Sequence, residues 1–299
     1  MKVHKYLFYS LVFFWIGFTT KAQSIDRQVI GSAGETIADG ATISIDFTVG
    51  EVAITTITDG VAIISQGFHQ GDVRVEIKIN PRVLLQGPLL GSSANQMLDD
   101  LRVAGYLPTS SPYADGLTCD LAVFNDGGLN GTGNTSDNII DWIWVELRDK
   151  NDSTNIIAGQ SALIQKDGDI VSVDGISNLV FDVNSDQYYI LINHRNHLGI
   201  LTANTVSLSG TTTQLDFSTN PLLLVGGENA VYDFGTGYYA MYAGDYDNNG
   251  QVQNSDLNEV LNYLGLANYS SADLNMNGQV QNSDINLILE VNKGKGTQY

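Results

Sequence analysis

Residues 245–256 read DYDNNGQVQNSD and residues 273–284 read DLNMNGQVQNSD, so one twelve-residue phrase returns after 28 residues with eight consecutive residues unchanged. Both copies place oxygen-bearing side chains at positions 1, 3, 5, 9 and 12 and a glycine at position 6. A stretch this polar builds no apolar core of its own. It can fold around a hard cation, which collects about six to eight oxygens, and the glycine permits the sharp turn that brings them round one point. The repeat therefore predicts two calcium loops.

The rest of the 299-residue chain reads as mainly β. Charged residues make up only 16%, glycine is abundant, and runs of strong helix formers are absent. The formal charge of −19 repels polyanions and so argues against nucleic acid and anionic lipid as partners. Cys119 is the sole cysteine, so no disulfide forms within the chain.

The first 22 residues read as a cleaved signal peptide. Lys2, His4 and Lys5 precede a thirteen-residue apolar run over residues 6–18, and Thr20-Lys21-Ala22 gives a small-x-small cleavage site before Gln23. Thirteen residues are too few for a bilayer span, which takes about 20. Cleavage removes three lysines and no acid, leaving a mature charge of −22. A secreted, extracellular or cell-surface protein with no membrane span is expected.

Residues 23–72 alternate in short runs with hairpin chemistry at Asp59-Gly60 and read as a small N-terminal β unit. The wording FTVGEVAITTITDGVAIISQGFHQG resembles a β segment of large secreted surface proteins of gram-negative bacteria, which implies an extracellular address. The run VRVEIKI (residues 73–79) predicts a strand ending at Pro81, and residues 95–104 predict a helix with Met97, Leu98 and Leu101 on one face. Residues 115–138 are rich in Gly, Asn and Asp and read as a long surface loop.

From residue 139 to 217, seven or more short strands follow one another, separated by turns such as Asp174-Gly175. Strands without intervening helices predict a β-sandwich, Ig-like in class, over residues 73–237. In WIWVELR, Trp142 and Trp144 share one face: core anchors in one reading, a platform for sugar rings in the other. His194 and His197 form an H-x-x-H pair whose spacing would split the rings across an extended strand, favouring a hydrogen-bonded structural corner over a metal or catalytic site. No G-x-S-x-G, H-E-x-x-H or P-loop occurs, and no pair of carboxylates stands out, so no enzyme is expected. The phrases DWIWVELRD, SALIQKDGDIVSVDG and INHRNHLGI resemble the β-rich part of uncharacterised secreted, haemagglutinin-like bacterial surface proteins.

Residues 238–299 read as a separate module. No helix leads into the first loop, position 12 is Asp rather than Glu, and each loop feeds an apolar stripe: Leu257, Val260, Leu261 and Leu264, then Ile285, Ile288 and Leu289. In these features residues 244–292 resemble a type I dockerin, an α-helical, EF-hand-like pair of calcium loops. That resemblance implies two Ca²⁺ ions. Loop 1 would use Asp245, Asp247, Asn249, the Gln251 carbonyl, a water on Gln253, and Asp256. Loop 2 would use Asp273, Asn275, Asn277, the Gln279 carbonyl, a water on Gln281, and Asp284. Loop 1, with three carboxylates against two, would bind the more tightly. Val252 and Val280 would pair the loops, and Asn254, Ser255, Asn282 and Ser283 would meet a cohesin-like partner. So small a module would depend on its metal, unfolding on chelation while the sandwich stays intact.

These readings converge on a secreted, non-catalytic protein whose tail mediates protein–protein attachment. The alternatives are an adhesin or glycan-binding protein, and a hydrolase of polysaccharide degradation.

Overall fold

The computed structural model describes residues 76–92 and 95–299, together with four short strands nearer the N-terminus. The signal-peptide reading of residues 1–22 and the Asp59-Gly60 turn lie outside the described residues. By compactness the chain divides into two units, residues 1–57 with 63–73, and residues 58–62 with 74–299. The N-terminal part holds two antiparallel or short paired ribbons. Strands β1 (Gly34–Ala38) and β2 (Ser44–Thr48) run antiparallel, and β3 (Thr56–Thr58) is bonded to β4 (Ile63–Ser65).

The larger unit opens with β5 (Ile77–Arg82), followed by two single-turn helices, α1 (Gln86–Leu89) and α2 (Asp100–Val103). Its main sheet is built on a long hairpin, β6 (Ile139–Asp149) and β7 (Asp152–Gln165), with β8 (Ile170–Val171) on the far edge of β7. After β9 (Leu179–Phe181), the hairpin of β10 (Asp186–His194) and β11 (His197–Leu201) extends the sheet on the other side. The order is β11-β10-β6-β7-β8, with β12 (Val206–Leu208) also paired to β10. A second sheet sets β5 between β9 and β13 (Thr213–Asp216), antiparallel to the first and parallel to the second. A ribbon of β14 (Val231–Asp233) and β15 (Tyr239–Met241) precedes the tail.

The sequence puts β6 at the centre because it is apolar on both faces. Ile143, Val145 and Leu147 are fully buried on one side and Trp142 on the other, each such side chain contributing about 1.5–3 kcal/mol of transfer free energy. Residues of both sheets share one core that includes Ile77, Ile79, Ile143, Leu163 and Leu215. The mainly β architecture is as expected.

Three local expectations fail for tertiary reasons. The strand does not stop at Pro81 but runs through it to Arg82, because Pro81 stands opposite Leu215 in a parallel ladder. The helix over residues 95–104 shrinks to α2. Asn95 takes a left-handed φ of 83°, and the Met97 and Leu98 N–H groups donate to the carbonyls of Lys166 and Pro88 instead of to a helical turn. Met97 and Leu101 are nonetheless buried.

The third correction concerns the tail. Residues 238–299 are not a module standing apart but belong to the same compact unit as the sheets. Loop 1 feeds α3 (Asn254–Asn262), but loop 2 feeds a π-helical segment, Asp284–Leu289, and then the three-residue α4 (Glu290–Asn292). Their buried residues Val260, Ile285, Ile288 and Leu289 form one cluster with Leu198 of β11 and with Tyr242 and Ala243. Nor do Val252 and Val280 pair the loops. Val252 exchanges hydrogen bonds with residues 294 and 295, and Val280 with residues 265 and 266.

Among the described residues no helix is long and apolar enough to cross a membrane.

Candidate functional site

The two loops have the same internal wiring. In loop 1 the Asp245 carboxylate accepts from the N–H groups of Asn249 (3.0 Å) and Gly250 (3.0 Å). The Asp256 carboxylate accepts from Tyr246 (2.9 Å) and Gln253 (2.8 Å). In loop 2 Asp273 accepts from Asn277 (3.1 Å) and Gly278 (2.7 Å), and Asp284 from Leu274 (2.9 Å) and Gln281 (2.7 Å). Position 5 repeats too: the Asn249 and Asn277 side-chain oxygens accept from Gln251 (3.0 Å) and Gln279 (2.9 Å). Gly250 and Gly278 adopt φ of 84° and 85°, and Asn248 and Met276 at position 4 adopt 56° and 58°. Two unlike residues in the same disfavoured conformation show that the loop, not the side chain, sets the backbone there.

Carboxylates at positions 1 and 12 of both loops are 0% exposed. Those of Asp245, Asp247 and Asp256 bring oxygens within 4.8 Å of one another. Among the described residues no lysine or arginine is ion-paired to these groups. Burial therefore pushes the carboxyls of Asp245 and Asp273 up to about 7, against the loop N–H groups and with repulsion from Asp256 and Asp284 respectively. Asp256 and Asp284 are raised as well, again by burial. A set of buried carboxylate and amide oxygens without nitrogen or sulfur suits a hard divalent cation. In loop 2 position 3 holds the Asn275 amide, which leaves two carboxylates to loop 1's three.

The tip of the β10–β11 hairpin supports these loops. His194 and His197 are not split across a strand but face each other on either side of the turn, Nδ1 to Nδ1 at 3.0 Å. Their protons are fixed by exclusion. His197 Nε2 accepts from the Gly87 N–H (3.2 Å), so its proton is on Nδ1. His194 Nδ1 must then accept, and its own proton sits on Nε2, facing Asp141 Oδ2 (3.3 Å). Both imidazoles are wholly buried and held neutral: burial lowers each, opposed at His194 by Asp141 and reinforced at His197 by the neighbouring His194 ring and the Arg195 charge. The H-x-x-H pair is thus a structural corner.

Asp141, a lone acid in the apolar run IIDWIWV, is fully buried. Burial raises its carboxyl, but Arg195 (Nε to Oδ2, 2.9 Å), His194 and the Tyr269 hydroxyl (2.7 Å) outweigh that and hold it at about 2. Arg195 also covers the Tyr269 ring, 4.3 Å from its centroid, and donates through Nη1 to the Ser270 carbonyl. Nearby, Gln86 of α1 accepts from the Ala243 N–H (3.0 Å) and from the Asn292 amide (2.6 Å).

The other candidate residues fall out differently. Trp142 is fully buried with its indole N–H on the Pro108 carbonyl (2.8 Å). Trp144 is half-buried, donates to Glu146 (2.7 Å) and lies against Tyr113, ring centroids 5.7 Å apart. Trp142 therefore offers no face to a sugar, while Trp144 keeps part of its ring exposed. Asn254, Ser255 and Asn282 are exposed, whereas Ser283 is half-buried and its hydroxyl accepts from Asn275 (3.0 Å).

Comparison with known proteins corrects the sequence-based resemblances. No protein-family model matches the chain, and no curated protein does. Two of the solved structures that match are chains from interface mutants of a type II cohesin–X–dockerin complex of Acetivibrio cellulolyticus. One is a C-terminal interface mutant, with 20% identity over 52% of this chain and 82% of that one, TM-score 0.33. The other is an N-terminal interface mutant, with 16% identity over 75% and 96%, TM-score 0.34. The tail is not a type I dockerin. No family model recognises it, the fold is mostly β, and its second loop leads into a π-helical segment sealed against the sheets rather than into a freestanding helical pair. The haemagglutinin-like resemblance of the β region likewise finds no matching family. The partner role of Asn254, Ser255, Asn282 and Ser283 rested on the dockerin resemblance alone and goes with it.

Sequence reasoning missed Asp141, Arg195, Asn196, Tyr269 and the Gln86–Asn292 pair. Only Asp141 left a trace, as a charge inside an apolar strand.

Proposed function

We propose that residues 74–299 form a non-catalytic β unit stabilised by two Ca²⁺ ions, carried by an exported protein and serving attachment to another protein. One observation carries the calcium reading: two identically wired loops each bury two carboxylates without a basic ion-pair partner. An ion in each loop offsets the cost of those charges, and the oxygen donors are the kind calcium takes. Loop 1 binds the tighter of the two ions because it brings three carboxylates. The non-catalytic reading is supported by the burial of Asp141, His194 and His197, whose polar atoms are used inside the fold.

Attachment to a protein is supported by the outer side of the tail. Leu261 (46%), Leu287 (58%) and Val291 (57%) are exposed on its helical segments, aliphatic side chains that a protein partner would cover. Export is supported by the basic start and apolar run of residues 1–22.

Calorimetric titration of the chelator-stripped chain tests the calcium reading. Two Ca²⁺ per chain and a rise in unfolding temperature are expected, with one ion lost in Asp245→Ala. No heat and no thermal shift at millimolar Ca²⁺ refute it.

A further inference from the structure

Asn196, at the tip of the β10–β11 hairpin, is bonded to the residue that precedes loop 1 and to the first residue of loop 2. Its backbone carbonyl accepts from the N–H of Gly244 (2.9 Å), the residue before Asp245. Its side-chain Nδ2 donates to the carbonyls of Ser271 (3.2 Å) and Asp273 (2.9 Å), the latter being position 1 of loop 2. The amide is held in that orientation from the other end, because the His197 Nδ1 proton, which also faces His194 Nδ1, is shared with Asn196 Oδ1 (2.8 Å). Asn196 is 0% exposed, so no water competes for these bonds. Arg195 beside it ties the Ser270 carbonyl to Asp141 in the central strand. Loop 1 is also anchored through the hairpin, since the Leu198 N–H donates to the Tyr242 carbonyl (2.8 Å) and His197 bridges to Ala243.

We propose that Asn196 is a positioning residue that sets the first ligand of loop 2 and couples the two cation sites through the hairpin tip. Loop 2 brings only two carboxylates, so its affinity depends on having Asp273 already in place. Filling loop 1 fixes Gly244, steadies the hairpin tip through the Asn196 carbonyl, and leaves less ordering for loop 2 to supply. Two sites joined by a shared rigid element bind cooperatively, with coupling typically of about 5–150-fold. The inference rests on the calcium reading above and goes beyond it by assigning a residue outside both loops to the metal sites.

Ca²⁺ titrations of the full chain test it. Loop 2 is isolated in an Asp247→Ala background and loop 1 in an Asn275→Ala background. Asn196→Ala, which removes the side-chain donor but keeps the carbonyl on Gly244, is expected to weaken loop 2 at least tenfold and to move loop 1 less than twofold. Asn196→Asp keeps the shape without the donor and is expected to behave as Ala does. Equal weakening of both loops, or none, overturns the proposal, because a merely structural residue would not separate them. Should the Asn196 variants fail to fold, Asp247→Ala alone decides: it is expected to weaken loop 2 at least fivefold, and an unchanged loop 2 refutes the coupling. Absence of any Ca²⁺ binding in the wild-type chain sinks the calcium reading itself and is a distinct result.

Discussion

If the loops take calcium as proposed, protons and the ion compete for the carboxylates of Asp245 and Asp273. Asp245 and Asp273 are buried beside a second carboxylate, and each is pushed up to about 7 in the metal-free loop. An ion entering the loop must displace whatever proton is there. At pH 8 few of these groups are protonated. At pH 5, two pH units below the shifted value, protonation is favoured by about 100 to 1, whereas at pH 7 half of each group is already protonated, so Ca²⁺ affinity at each loop is expected to fall about 50-fold between pH 7 and pH 5. Raised carboxyls at Asp256 and Asp284 act in the same direction. An unperturbed aspartate, at about 3.9, would cost less than a tenth of that over the same range. The direction of stability follows. A pKa raised on folding contributes stability that is present below the unfolded value and lost as pH rises through about 7. These two groups therefore make the chelated protein more stable on acidification from pH 7 to pH 5. Chelator-competition titrations at several pH values give the affinities, and calorimetry in buffers of different ionisation enthalpy counts the protons released, about one per ion at pH 6. Affinities that differ by less than threefold between pH 7 and pH 5 would refute the reasoning. They would mean that the carboxylates are ionised before the metal arrives.

Two further outcomes are expected. Gly87→Ala would place its Cβ on the Leu274 carbonyl, an overpacking of about 1–3 kcal/mol that urea unfolding reads directly; a loss under 0.5 kcal/mol would show that α1 is free to move from loop 2. Nitrogen-15 spectra of the imidazoles should find His197 protonated on Nδ1 and His194 on Nε2, both still neutral below pH 6.5, since burial lowers both; reversed tautomers or ordinary titration would dismantle the corner.

What the sequence made legible was local. The spacing of polar side chains in residues 245–256 and 273–284 is set within twelve residues, so the two matching turns could be read, down to the glycine at position 6. Turn residues such as Lys150-Asn151 and Asp174-Gly175 marked the strands between them for the same reason. The misreadings came from partners far away in the chain. The apolar spacing of Met97, Leu98 and Leu101 fits a helix until the Lys166 and Pro88 carbonyls claim the backbone. The two apolar stripes of the tail suggest helices that pack on each other, and say nothing of Leu198 and Tyr242, which complete their cluster. Asn196 looks like any turn residue, because its importance lies in Gly244 and Asp273, neither near it in sequence.

The bond between Gln86 and Asn292 spans 206 residues, and β5 pairs with β13 across more than 130. A chain whose strand β5 waits for β13 cannot complete its core a piece at a time. Closing loops of that length before any contact rewards them makes the folding of such topologies slow. The long interval in which the chain is extended is also the interval in which it can be threaded through a narrow passage. Under the proposed export, folding would then finish on the far side of that passage.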